Sequence, residues 1–211
     1  MSPVLPEAQT PSQPAISRRS LISGAAATGG TLVMMSTAPE ATRAAEIAAP
    51  PVLGPGAVAI KLRVNGLQRP VTVEPRTTLA EALRGPLRLT GTKIACDRGA
   101  CSACTVWLDG HPVASCMILA VDVGPRAVTT IEGLARGDRL HPVQEAFIAH
   151  DAVQCGYCTP GMVMSCAALL DYAPHPTPDE VQQAISGHLC RCGTYNHVIA
   201  ATLAAAATGR G

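Results

Sequence analysis

The feature that most constrains this chain is its cysteines between Cys96 and Cys192. They fall into two groups. The first is Cys96, Cys101 and Cys104, followed by Cys116; the second is Cys155 and Cys158, followed by Cys190 and Cys192. Each group supplies four thiols, the number that holds one [2Fe–2S] cluster, and the first follows the C-x4-C-x2-C…C spacing known for such centres. Chance seldom produces two complete sets.

The intervening residues suit that chemistry. Three thiolates must converge within a short loop, and backbone N–H groups must turn inward to offset the charge. Gly99, Ala100, Ser102 and Ala103 leave room for this. Other readings stay open. A zinc knuckle would more often use C-x2-C pairs at both ends, so a three-thiol run is atypical. A disulfide-stabilised exported binding protein fits an oxidising compartment, but Cys190-Arg191-Cys192 and the tight triplet are awkward for separate bridges. Nine cysteines leave Cys166 over; it lies on an apolar helical stripe and reads as a small core residue. His150, His188 and His197 read as caps or surface residues, with His188 alone near enough to Cys190 to tune the second centre.

The 211 residues leave room for two small domains behind a leader. With one Trp, one Phe and three Tyr, the cores must be aliphatic, and metal centres would serve as staples. A net charge of +1 gives no electrostatic case for nucleic acid. No apolar run is long enough for a stable membrane anchor.

The expected fold class is α+β. Residues 58–136 read as a β-grasp domain of the plant-type [2Fe–2S] ferredoxin kind. Ile60, Leu62 and Val64 alternate, Asn65-Gly66 turns a hairpin, and Thr78 with Glu81 has the capping-box spacing of a short helix. Thr105–Leu108, Val113–Cys116 and Ala127–Ile131 supply further strands. Residues 137–208 read as an all-α four-helix bundle with the second centre where two loops meet. A helix with Pro142 in its first turn ends at Gln154-Cys155. Met162, Val163, Cys166, Leu169 and Leu170 form a buried stripe. Thr177 and Glu180 cap a third helix, and Val198–Ala207 is a fourth.

Residues 1–44 resemble a twin-arginine signal peptide. Arg18-Arg19 precede a mildly apolar stretch broken by Gly24, Gly29 and Gly30, and Thr42-Arg43-Ala44 is a candidate cleavage site. Residues 45–57 are a Pro-rich linker. A periplasmic location and the twin-arginine translocase as a partner are therefore expected.

The motifs Gly91-Thr-Lys-Ile-Ala-Cys-Asp-Arg-Gly-Ala-Cys-Ser-Ala-Cys-Thr-Val106, Gln154-Cys-Gly-Tyr-Cys-Thr-Pro-Gly-Met162 and Cys190-Arg-Cys-Gly-Thr-Tyr195 closely resemble the iron–sulfur subunit of the xanthine oxidase family of molybdenum hydroxylases, over about residues 58–207. With the leader, the nearest branch is the small subunits of periplasmic aldehyde oxidoreductases. The resemblance implies a partner carrying molybdopterin cytosine dinucleotide, and a further subunit with FAD. It implies that Cys96, Cys101, Cys104 and Cys116 hold an outer cluster and Cys155, Cys158, Cys190 and Cys192 an inner one. It also implies that Gln154 contacts the pterin and Cys192 lies between pterin and iron. Ala95, Ser102, His188 and the order Gly193-Thr194 depart from the family pattern. On this reading substrate chemistry sits on the partner, and no catalytic residue is assigned here. A free-standing ferredoxin would leave the helical half unexplained.

If cofactors are loaded before export, one leader serves the whole complex. Arg18→Lys combined with Arg19→Lys is expected to hold both this chain and the molybdenum subunit in the cytoplasm with clusters formed. Cell fractionation with immunoblots of each subunit checks this. Normal export of either protein would reject the leader reading or the order of assembly.

Overall fold

The structure, a computed structural model, describes residues 52–208. The arginine pair, the cleavage site and the linker up to Pro51 lie outside the described residues. Alternating apolar residues form β1 (Val58–Val64) and β2 (Leu67–Val73), paired antiparallel with Val64 opposite Leu67. Asn65 and Gly66 close this hairpin at φ 51° and 79°, the doubly left-handed turn that Asn-Gly adopts with little strain. Asp109 and Gly110 do the same between β3 (Thr105–Leu108) and β4 (His111–Ala114). β5 (Ala127–Thr129) lies between the hairpins, parallel to β1 and antiparallel to β3. The sheet order is β2-β1-β5-β3-β4.

Helix α1 (Leu79–Arg84) starts at Thr78, whose side chain accepts from the Glu81 N–H while the Glu81 carboxylate accepts from the Thr78 N–H. Its Leu79 and Leu83 are buried with Leu62, Val64, Val106 and Val128. The helix thus seals one face of the sheet, as a β-grasp requires. The expected return strand is displaced: β4 stops at Ala114, and Cys116 sits on a 3₁₀ turn, Ser115–Met117. The Ser115 hydroxyl donates to the Cys104 carbonyl at 2.6 Å. The turn carries Cys116 back beside Cys104, which a continuing strand would not do.

Four helices follow: α2 (Pro142–Ala149), α3 (Thr159–Tyr172), α4 (Pro178–Ala184) and α5 (Tyr195–Ala207). The Thr177–Glu180 capping box on α4 is formed. A second one, between His141 and Gln144, opens α2. Sequence pattern missed it because a histidine ring is outside the usual set of cap acceptors. Helix α2 stops at Ala149, with Asp151 at φ 50°, so Gln154–Cys158 is a loop rather than a helix end. Helix α5 begins at Tyr195 rather than Val198.

Helix α3 is buried on every side from Gly161 to Leu170, not along a stripe. It packs against β3 on one side and against α2, α4 and α5 on others. Gly161, Ser165, Ala167 and Ala168 keep the helix thin enough for neighbours all round. The single tryptophan fastens this helix to the sheet: Trp107 Nε1–H donates to the Met164 carbonyl at 2.8 Å. Trp107→Phe removes that bond between the halves and is expected to cost about 1–2 kcal/mol. A lowered denaturant midpoint with unchanged slope checks it; an unchanged midpoint would show that the bond does not stabilise the fold.

Candidate metal centres

The first loop is tied at its entrance. Arg84 on α1 donates to the carbonyls of Thr90 and Thr92 at 2.7 and 2.6 Å, and the Gly91 N–H donates to Glu132. A side chain at Gly91 would strike Ile131. Within the loop Asp97, Gly99 and Ser102 all have positive φ, at 51°, 71° and 57°. These reversals turn N–H groups inward: Gly99 N–H points at the Cys116 sulfur and Ala100 N–H at the Cys96 sulfur, each at 3.3 Å. Ser102 takes the left-handed conformation without being glycine, at a cost on the order of 1 kcal/mol.

Cys101, Cys104 and Cys116 are buried and Cys96 is half-buried. Their thiols adjoin in pairs, Cys96 with Cys101 and Cys104 with Cys116. The Arg98 N–H, helped by the Cys101 thiol, pulls Cys96 down to about 7. Burial, with the Cys104 thiol beside it, pushes Cys116 up to about 11. The buried member of such a set therefore stays protonated near neutral pH unless a cation takes the proton's place.

The second centre draws on two loops. Cys158 is the N-cap residue of α3 and is buried, while Cys155 is exposed, with Gly156 between them at φ 78°. Cys190 and Cys192 are half-buried in the loop between α4 and α5. The Tyr195 hydroxyl laces that loop, accepting from the Cys190 N–H at 2.8 Å and donating to the His188 carbonyl at 2.9 Å. Cys158 adjoins both Cys190 and Cys155; burial pushes it up to about 12. At Cys190 burial works upward too, but is outweighed by the Thr194 hydroxyl 3.3 Å away and nearby N–H groups, which bring it to about 7. Gln154 is exposed beside Cys155. Among the described residues no three metal-ligating side chains meet as they would around one ion. Pairs of adjoining thiols suit a binuclear centre, in which each iron takes two.

The structure brings the two groups together, which the sequence did not reveal. Cys96, Cys101, Cys155 and Cys158 line one cavity of about 340 Å³, with Tyr157 and Leu189. Leu189 N–H donates to the Cys101 carbonyl at 3.2 Å, and the Tyr157 hydroxyl donates to the Ile94 carbonyl at 2.6 Å. The tyrosines of Cys155-Gly156-Tyr157-Cys158 and Gly193-Thr194-Tyr195 were the available signal. The histidine expectation needs one correction. His150 caps α2 and His197 is exposed, but His188 is buried, because the loop folds inward against α3.

Residues 62–126 match the 2Fe-2S iron-sulfur cluster binding domain, and residues 130–203 match the [2Fe-2S] binding domain. The chain is 43% identical over 202 residues to the aldehyde oxidoreductase iron–sulfur-binding subunit of Escherichia coli strain K12, covering 88% of this chain and 86% of that one. It is 47% identical over 146 residues to the nicotine 6-hydroxylase small subunit of Paenarthrobacter nicotinovorans, covering 69% and 88%. The crystal structure of quinoline 2-oxidoreductase from Pseudomonas putida 86 contains a chain that superposes with a TM-score of 0.68 at 42% identity, over 74% of this chain and 99% of that one. The chain belongs to the iron–sulfur subunits of the molybdenum hydroxylases. As such a subunit it binds iron–sulfur clusters and transfers electrons within an oxidoreductase complex.

In this iron–sulfur subunit Cys166 stands apart. It is fully buried on α3 beside Thr202, and burial pushes its thiol up to about 11. Cys166→Ala is expected to leave iron content unchanged and to cost about 1 kcal/mol for the lost sulfur. Iron assay and thermal denaturation check this, and loss of one cluster would overturn the division of thiols.

Proposed function

We infer that the chain passes electrons, one at a time, from a molybdenum cofactor on one partner subunit to an acceptor on another. The observation that carries this reading is the pair of thiolate loops facing one cavity and joined by the bond from Leu189 N–H to the Cys101 carbonyl. Cys96, Cys101, Cys104 and Cys116 hold the outer cluster; Cys155, Cys158, Cys190 and Cys192 hold the inner one. The fit is supported by the soft donor set and by the N–H groups of Gly99 and Ala100 aimed at sulfur. When bound, the clusters supply one-electron redox chemistry that no side chain here offers.

The chain's own residues orient and shield. Exposed Gln154, Cys155 and Leu189 with half-buried Cys192 form the face toward the molybdenum subunit. There the Gln154 amide would contact the pterin of a molybdopterin cytosine dinucleotide, and Cys192 would be the cluster ligand on that side. The outer loop faces an FAD subunit. An aldehyde is the substrate class, by likeness to the Escherichia coli relative's name. The two domains run over 58–136 and 137–208. The twin-arginine leader takes the loaded complex to the periplasm; among the described residues no helix is long and apolar enough to cross a membrane.

The purified chain should carry four irons and four acid-labile sulfides, two of each per centre. Low-temperature electron paramagnetic resonance of the reduced protein should give two rhombic signals, and Cys104→Ser should remove only one of them. Two irons and a single signal in the unaltered chain would sink the two-cluster reading.

A further inference from the structure

One buried polar side chain stands between the two thiolate loops and belongs to neither ligand set. His188 is 4% exposed. Its Nε2 lies 2.7 Å from the hydroxyl of Ser165 on α3, itself only 8% exposed, while Nδ1 has no partner. The ring sits against Gly161 in the first turn of α3. A Cβ at Gly161 would come 3.3 Å from His188 Cε1 and would collide with the Ser102 carbonyl oxygen of the outer loop. The glycine therefore leaves a gap that the ring and the outer loop share. One residue on, the Leu189 N–H reaches the Cys101 carbonyl. The carbonyl of that same peptide group, His188 C=O, accepts from the Tyr195 hydroxyl that also holds the Cys190 N–H.

Packing alone does not account for an imidazole here. A buried ring nitrogen without a partner carries a desolvation cost that an aliphatic side chain of similar size would avoid. What the aliphatic side chain would lack is the bond to Ser165, which gives the ring one orientation. Helix α3 is buried on every side from Gly161 to Leu170, so a loop braced on it takes its position from the core rather than from its own exposed backbone.

We propose that His188 is a positioning residue: held by Ser165 in the gap at Gly161, its ring keeps the Leu189 amide on the Cys101 carbonyl and so sets the register of one cluster-binding loop against the other. The consequence for electron passage, a fixed separation of the two centres, rests on the cluster reading above. The register itself is a property of the polypeptide.

The test uses the full chain as isolated, with Ser165→Ala, His188→Leu and His188→Gln. Hydrogen–deuterium exchange of the peptide containing Leu189 is followed by mass spectrometry. Iron is assayed on the same samples, and the spin–spin interaction between the reduced centres is measured by pulsed paramagnetic resonance. Ser165→Ala and His188→Leu should each speed exchange at Leu189 about tenfold and broaden the distribution of inter-centre distances, with iron retained. His188→Gln, whose amide can still meet Ser165, should recover most of the protection. Exchange at the unaltered rate in Ser165→Ala would overturn the proposal and leave the ring as filler; that variant decides the matter even if His188→Leu does not fold. Missing iron in the unaltered chain would instead indict the cluster reading, whatever the exchange rates are.

Discussion

Thiolates held close enough to share a metal centre repel one another and resist burial, and the rest of the molecule answers to that constraint. In the outer loop the answer is local. Left-handed residues at Asp97, Gly99 and Ser102 bring N–H groups onto the sulfurs of Cys96 and Cys116. Backbone N–H groups draw Cys96 down to about 7, while burial pushes Cys116 up to about 11. They suffice at half-buried Cys96, whereas at Cys116 the Gly99 N–H is outweighed by burial.

In the inner centre the answer is tertiary. Cys158 and Cys190 come from two loops far apart in the chain, and helix α3 is what makes them meet. Cys158 starts that helix, and the loop of Cys190 folds against its first turns through His188, Ser165 and Gly161. Because the same helix is wrapped by β3 and three other helices, displacing it would disturb both halves at once. The bond from Trp107 to the Met164 carbonyl adds a directional tie to that packing.

Electron transfer asks little of side-chain chemistry and much of placement. What matters is that the two thiolate loops share a wall and keep their spacing. The hydrogen bonds from Leu189 and Tyr157 across that wall join backbone to backbone and side chain to backbone. Such links are less easily lost than contacts between long flexible side chains, which pay rotamer entropy to stay in place.

Local signals in the sequence determined a good part of this protein. Asn65-Gly66, Asp109-Gly110, Thr78 with Glu81 and Thr177 with Glu180 each act within a few residues, so their turns and caps could be read directly. The thiol spacing likewise announced the kind of centre, since ligand geometry limits the spacings that work. What only tertiary structure decided lies where distant segments meet. That α3 is buried all round, that His188 is an interior residue, that Cys116 rides on a 3₁₀ turn and that the two loops touch through Cys101 and Leu189 all depend on contacts between residues far apart in sequence. Hydrophobic period reports one buried face of a helix, and it carries no record of how many neighbours will close around it.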